Sequence, residues 1–365
     1  MRLLRTTCTL PAVLAFLILA VVPGLAAAAD PAALTPEDLL ATVPALTDVG
    51  GVVATPADWW PAFPEFNVGP INPGRWPGER FYVVQNFCKF DDQENSRLEV
   101  TVLLFQSVKE AHRAFVDKGS QSAVLATVVK GPRVGDERRY FARAGEPGVI
   151  TMRYRVGPVT GRISLFAPGP PASAETVSKY GEALVTKLRA VLNGTLAAPS
   201  LPADFASSMP PAAAATEIGP VLGSAVVPVE SWALADTAQD PVGIRDRLKT
   251  EGVSNLYYQR YAAPGAPGQA LEATFFQFKD AEAASRWVRL FIREVATRGP
   301  VYDPGDTGIF RAFTQTASGG YELQFAKGRL VGDVTSVAPF ATSSPAAMPL
   351  VRKLAELWWK AVPLR

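Results

Sequence analysis

The sequence predicts an α+β protein: two tandem copies of one unit, each an antiparallel sheet of about five strands with helices packed on one face. Three observations carry this. First, Leu98–Phe115 (LEVTVLLFQSVKEAHRAF) returns 173 positions later as Leu271–Val288 (LEATFFQFKDAEAASRWV), with six of 18 positions identical. Both read as a strand running into a helix. Second, Ile150, Met152, Tyr154 and Val156 alternate with Thr151, Arg153 and Arg155, as expected of a strand with one buried face. Third, the order in each copy is helix, strand, strand, helix, three strands, helix, with no series of strands and crossover helices of parallel-sheet spacing.

The chain has 365 residues, more than the ~100–200 of one domain. Residues 1–29 read as a secretory signal: Arg2 and Arg5, an apolar run from Leu10 to Val22, then Ala26 to Ala29 for cleavage before Asp30. Residues 30–195 form the first repeat domain and 196–365 the second. This places the protein outside the cytoplasm, periplasmic or secreted, with contact to a membrane only through an uncleaved signal. Apolar residues at 48% and charged residues at 19% exclude wholesale disorder. Removing residues 1–29 takes away two arginines and no acid, which leaves basic and acidic residues equal in number. A balanced chain argues against nucleic acid as partner and against tight binding to anionic lipid.

The duplication covers nearly the whole chain after residue 29. Pro36-Glu-Asp-Leu39 matches Pro202-Ala-Asp-Phe205, Thr47-Asp-Val-Gly-Gly-Val52 matches Thr216-Glu-Ile-Gly-Pro-Val221, Gly135-Asp136 matches Gly305-Asp306, and Gly157 falls on Gly328. The first helix runs from Pro36 to about Leu46, with Thr35 as N-cap and Asp38 completing a capping box. Its counterpart around Pro202 to Met209 is weaker. The first strand pair is Phe81–Phe90 and Arg97–Gln106, joined by a polar loop; the second is Ser254–Ala262 and Ala270–Lys279. Ser107 opens the next helix with Glu110 three residues on, and Val108, Ala111 and Phe115 share a face. In the second copy Asp280 caps, with Ala281, Ala284, Val288 and Phe291 as the apolar face. In the middle strand Tyr321, Leu323 and Phe325 keep the phase of Ile150 to Val156. Each copy ends in an amphipathic helix, striped by Val177, Tyr180, Leu184, Leu188 and Val191 in one and by Leu350, Leu354, Trp358 and Ala361 in the other.

The helix opening Ser107-Val-Lys-Glu-Ala111, the turn Val134-Gly135-Asp136, the strand ending Arg153-Tyr-Arg-Val-Gly157 and the C-terminal amphipathic helix resemble, in outline, a class of bacterial extracytoplasmic domains. The ligand-sensing ectodomains of mycobacterial serine/threonine kinases are similar. The resemblance covers about 100 residues per copy and implies an extracytoplasmic ligand-binding or sensing role. Its motifs are turn glycines and helix caps, so no functional residue carries over. The kinase ectodomains hold internal disulfides. Here Cys88 is the one cysteine after residue 29 and cannot form an internal bridge; it reads as a small buried hydrophobe.

Residue chemistry points away from catalysis and from cofactors. His112 is the one histidine, its counterpart is Ser285, and nothing near it in sequence resembles a nucleophile elbow. One histidine and one cysteine cannot supply the ligands of a usual zinc site. Asp91, Asp92 and Glu94 lack the spacing of a calcium loop, and the second copy has Ala262-Ala-Pro-Gly265 there. Asp136 and Asp306 recur but read as turn residues that bond to backbone, which leaves a carboxylate hydrolase as the third alternative, after a structural or assembly partner of the envelope. No phosphate-cradling glycine loop is present. The candidate ligand-binding residues are aromatic. Trp59, Trp60, Phe63, Phe66 and Trp76 crowd a Pro-rich, apparently irregular passage that the second copy matches only with Trp232. Exposed rings there could stack on a small molecule, a glycan or an envelope protein; packed rings would close the end of the sheet.

Overall fold

The computed structural model describes residues 30–69, 76–92, 96–117, 126–143, 145–167, 172–200, 202, 217–235, 240–263, 270–298, 312–315, 321–337 and 347–362. The expected signal segment, the stretch after Pro202 in which the counterpart of the first helix is expected, Glu94 and Asp306 lie outside them. Within them the protein is α+β, with two antiparallel sheets and one sheet in each half of the chain.

The first half runs α1 (Pro36–Ala41), β1 (Trp59–Pro61), β2 (Glu65–Val68), β3 (Glu79–Lys89), β4 (Arg97–Phe105), α2 (Val108–Val116), β5 (Ala126–Val129), β6 (Glu137–Arg143), β7 (Glu146–Val156), β8 (Val159–Phe166) and α3 (Ala174–Leu192). The second half runs β9 (Val221–Pro228), α4 (Val229–Ala235), α5 (Pro241–Thr250), β10 (Asn255–Ala262), β11 (Ala270–Gln277), α6 (Ala281–Arg298), β12 (Ala312–Gln315), β13 (Tyr321–Lys327), β14 (Leu330–Val337) and α7 (Ala347–Ala361). The first sheet has eight strands in the order β1-β3-β4-β8-β7-β6-β5, with β2 also on β3; the second has six, β12-β13-β14-β11-β10-β9. Both exceed the expected five or so. The extra strands in the first sheet come from the Trp-rich passage. Expected to be irregular, it supplies β1 and β2, which pair side by side along the free edge of the 11-residue β3. A long edge strand leaves unpaired backbone groups, and these segments satisfy them.

The local signals act as read. Thr35 and Asp38 form the capping box of α1, with Pro36 in its first turn. The Ser107 hydroxyl accepts from the Glu110 amide at the start of α2, and Asp280 does the same for the Ala283 amide of α6. Gly157 and Gly328, with φ of 53° and 57°, turn β7 into β8 and β13 into β14, a backbone region in which residues with a Cβ are strained.

The expectation of helices on one face needs correction: each sheet is covered on both. In β4, Leu98, Val100, Val102 and Leu104 face α3, whose Val177, Tyr180, Leu184 and Leu188 are fully buried against them. Leu103 and Phe105 point the other way and pack on Ala111 and Ala114 of α2. Likewise Phe275 of β11 packs with Trp358 of α7, its ring stacked at 4.1 Å, while Phe276 meets Trp287 of α6 at 6.2 Å. The unbroken apolar run Val102–Phe105 is the cause, since a strand without alternation has to bury both faces. The helix faces shift accordingly. Val108 is exposed in α2 and Ala114 buried; Ala281 is exposed in α6, with Ala283 and Trp287 buried instead.

The two sheets meet through the Trp-rich passage. The Phe63 ring stacks on Tyr258 of β10 at 4.9 Å and meets Trp232 of α4 edge-on at 6.4 Å. Phe66 lies stacked toward Tyr258 at 6.4 Å, on top of Gly223 of β9, where any Cβ would collide with its ring. Trp60 stacks on Phe90 at 4.9 Å, and the Arg245 guanidinium of α5 sits over the Trp60 ring at 5.1 Å. The Ser224 amide donates to the Glu37 carboxylate of α1 at 2.8 Å across the same junction.

Candidate functional site

The α2 face of the first sheet holds a groove of about 670 Å³. The antiparallel register sets its floor in rows. Arg97 of β4 lies opposite Phe166 of β8, which lies opposite Val149 of β7. One step along, Glu99, Ser164 and Thr151 are aligned, and one step further Thr101, Arg162 and Arg153. Because side chains alternate, all of these project to the α2 side while Val100, Ile163, Met152 and Tyr154 are buried on the α3 side. The polar members of the β7 alternation therefore point into the groove.

Arg153 and Arg162 are directly opposed, and Arg139 of β6 lies opposite Arg153 in the same row. Like charges on opposed residues are destabilising by roughly a few tenths to 1 kcal/mol, so each guanidinium has a local counterweight. Arg153 donates to the Ala114 carbonyl at 2.9 Å, and to the Asp117 carbonyl, at the C-terminal end of α2. The negative end of the helix dipole favours a cation there. Arg139 lies 5.3 Å from the centre of the Phe115 ring. Arg162 pairs with the Glu99 carboxylate, and its side chain is half exposed. Arg97 stacks on Phe166 at 4.5 Å, and its buried Nε finds no hydrogen-bond partner among the described residues.

Hydroxyl groups fill the space between. Thr151 and Ser164 share a hydrogen bond of 3.0 Å. Thr101 is 8% exposed, and its hydroxyl has no hydrogen-bond partner among the described residues. Gly161 of β8 gives up its side chain for packing: a Cβ there would overlap the Thr101 carbonyl and the Tyr154 hydroxyl, which donates to that carbonyl at 3.0 Å. Trp76, Tyr82, Phe141 and Phe166 supply the apolar part of the lining.

The five expected ligand-binding aromatics separate into two groups. Trp59, Trp60 and Phe66 are buried and Phe63 is half-buried, all of them packed at the sheet edge or at the junction with the second sheet. Trp76 alone of the five lines the groove, and its indole N–H donates to Asp117 at 3.1 Å. Sequence reasoning missed Arg97, Thr101, Arg153 and Arg162 as a group. The available signal was the polar phase of Thr151, Arg153 and Arg155 on a strand whose other face is core.

The other titratable candidates have structural partners. His112 sits on α2, 2.8 Å from Glu137. Burial raises the Glu137 carboxyl, but hydrogen bonds from His112 and Arg155 outweigh this and hold it below the ordinary carboxylate range. Asp136 accepts from the Gly157 amide at 2.8 Å, as a turn residue should, and it does not line the groove. Asp91 pairs with Lys89, and Asp92 accepts from the Ser96 hydroxyl. Cys88 is a free, half-buried thiol, raised by burial against the opposing pull of Arg97. Among the described residues no group of three His, Cys, Asp or Glu could hold a metal ion, and no helix is long and apolar enough to cross a membrane.

Among the described residues the second sheet repeats the framework and not the charges of the groove. Thr274, Asp333 and Gln324 occupy the places of Thr101, Arg162 and Arg153, with the same register. The 18-residue α6 packs over β12, β13 and β14, and these three residues are buried. By contrast the nine-residue α2 packs on β4, β7 and β8. Gly332 recurs at the place of Gly161 and again makes room for a ring, that of Phe325.

No family model matches this chain, and no curated protein matches it. Among solved structures it has a weak likeness to the extracellular domain of PknH from Mycobacterium tuberculosis, at 14% identity and TM-score 0.23, covering 38% of this chain and 78% of that one.

Proposed function

We propose that this chain is an extracytoplasmic ligand-binding module without catalytic machinery, and that the groove on the first sheet is its binding site. The observation that supports this is the placing of Arg153 directly opposite Arg162 in a groove lined by hydroxyls and aromatic rings. Ligand pockets combine this apolar lining with a few convergent polar groups. Trp76 is the aromatic residue of the N-terminal passage that reaches the ligand. Trp59, Trp60, Phe63 and Phe66 act as the join between the sheets and support the site from behind. The second copy serves as scaffold.

A thermal-shift screen of small molecules on the folded chain, repeated on Val149→Trp, tests the reading. Val149 lies on the groove floor opposite Phe166, and a tryptophan there fills the space without removing a buried group. Ligands that stabilise the parent are expected to lose their effect on the variant, with circular dichroism unchanged. Ligands that stabilise both equally place the site elsewhere.

A further inference from the structure

The groove also says what kind of molecule it takes. We propose that the ligand is an organic anion with an apolar body, its acidic group seated on Arg162 beside Arg153 in place of the Glu99 carboxylate. This rests on the reading of the groove as the binding site.

Charge is the first argument. Arg97, Arg143, Arg153 and Arg162 line the groove with two acids, Glu65 and Glu99; Arg143 is paired with Glu146 at 3.0 Å, which leaves three arginines against the two lining acids, a modest positive excess in a chain that is nearly balanced. Availability is the second. Arg153 is held in place by the carbonyls of Ala114 and Asp117 at the end of α2. Arg162 is half exposed, and it pairs with the single carboxylate of Glu99. A guanidinium offers five donors in a fork that suits carboxylate, sulfonate or phosphate. The unpartnered hydroxyl of Thr101, more than nine-tenths buried, stands opposite Arg162 in the same row. Shape is the third. From the Arg162 row to the Phe166 row is four residues, about 13 Å along the strands, past Ser164 and Thr151 to Phe166 and Val149. Arg97 lies on the Phe166 ring in that far row, so an acidic group on Arg162 with an apolar body that reaches toward Phe166 and Val149 fits the groove.

The second sheet carries the contrast. Where the groove has Arg162 and Arg153, it has Asp333 and Gln324, buried beneath α6. The inference is therefore one anion site per chain, despite the duplication.

Two dyes that differ only by an acidic group supply the test: 1-anilinonaphthalene-8-sulfonate and its uncharged parent N-phenyl-1-naphthylamine. Fluorescence titration of the folded chain is expected to show one sulfonate dye per chain, bound at least ten-fold more tightly than the uncharged dye. Arg162→Gln is expected to weaken the sulfonate dye by roughly 10–100-fold, the range of a charge-assisted hydrogen bond, and to leave the uncharged dye within two-fold. Glu99→Gln, which removes the competing carboxylate, is expected to tighten the sulfonate dye several-fold. Equal affinity for the two dyes, or indifference to both substitutions, overturns the anion assignment while the groove stands. If Val149→Trp leaves both dyes unaffected, the groove itself is wrong. The source of the anion is read by competition. Displacement of the sulfonate dye by monomeric decanoate supports a free organic acid. Arg162-dependent binding to phosphatidylglycerol vesicles supports a lipid headgroup. Failure of both overturns the proposal.

Discussion

Phe66 offers the sharpest test of how the two sheets are joined. Its ring is 1% exposed, stacks toward Tyr258 of β10 and rests on the bare backbone of Gly223. Phe66→Ala removes a fully buried aromatic ring, which costs about 3–5 kcal/mol from lost transfer energy and the cavity left behind. Its neighbour on the same strand, Val68, is 54% exposed, and Val68→Ala is expected to change stability by no more than about 0.5 kcal/mol. Urea unfolding followed by tryptophan fluorescence measures both. A double-mutant cycle with Tyr258→Ala should show a coupling of about 0.5–3 kcal/mol, because the two rings share one contact region. Separate unfolding transitions in Phe66→Ala, merged in the parent, would show directly that this ring couples the halves of the chain. A loss below about 1 kcal/mol with no coupling to Tyr258 would falsify the argument, since a ring in that setting cannot be removed so cheaply.

Three further substitutions probe other parts of the fold. Gly161→Ala forces a Cβ onto the Thr101 carbonyl; backbone has to move, and a loss of about 1–3 kcal/mol in urea melts is expected. Ser107→Ala removes the hydroxyl that caps α2 at the Glu110 amide and should cost about 1 kcal/mol, with dye binding in the groove weakened if α2 shifts. Glu137→Gln removes a carboxyl that His112 and Arg155 hold below its ordinary value near 4.5. A depressed carboxyl stabilises fully above its unfolded value and loses that contribution as pH falls through the folded value. The parent should therefore exceed Glu137→Gln in stability at pH 7, by no more than about 1 kcal/mol for so exposed a network, and the gap should close as pH falls below the ordinary value. A gap that widens on acidification contradicts the assigned partners.

The relation between the two copies also bears on function. Both retain the strand that carries Thr101 or Thr274, the Gly161 or Gly332 that admits a ring, and the turn at Gly157 or Gly328. They differ in the length of the helix on the groove face and in the charges beneath it. The frame is thus common, and the opposed arginines belong to the first copy.

Much of this was legible in the residues. The repeat marked the strand–helix units. The alternation through Ile150, Met152, Tyr154 and Val156 marked a buried face, and all four are buried. The caps at Thr35, Ser107 and Asp280 marked helix starts. These are properties of neighbours in sequence, governed by the 2-residue and 3.6-residue periods of local structure. Periodicity shows which side of an element is apolar but not what lies against it. Hence α2 and α3 were expected together and are found on opposite faces, and the Trp-rich passage, expected to be an irregular aromatic loop, is two edge strands that hold the second sheet. The groove was illegible for the same reason: Arg97, Arg153 and Arg162 come from three strands whose register only hydrogen bonding sets. The sequence by itself determined the α+β repeat and the apolar side of its strands and helices. Tertiary structure alone decided which helix covers which face, where the two copies touch and which arginines stand opposite one another, because those depend on contacts between segments far apart in the chain.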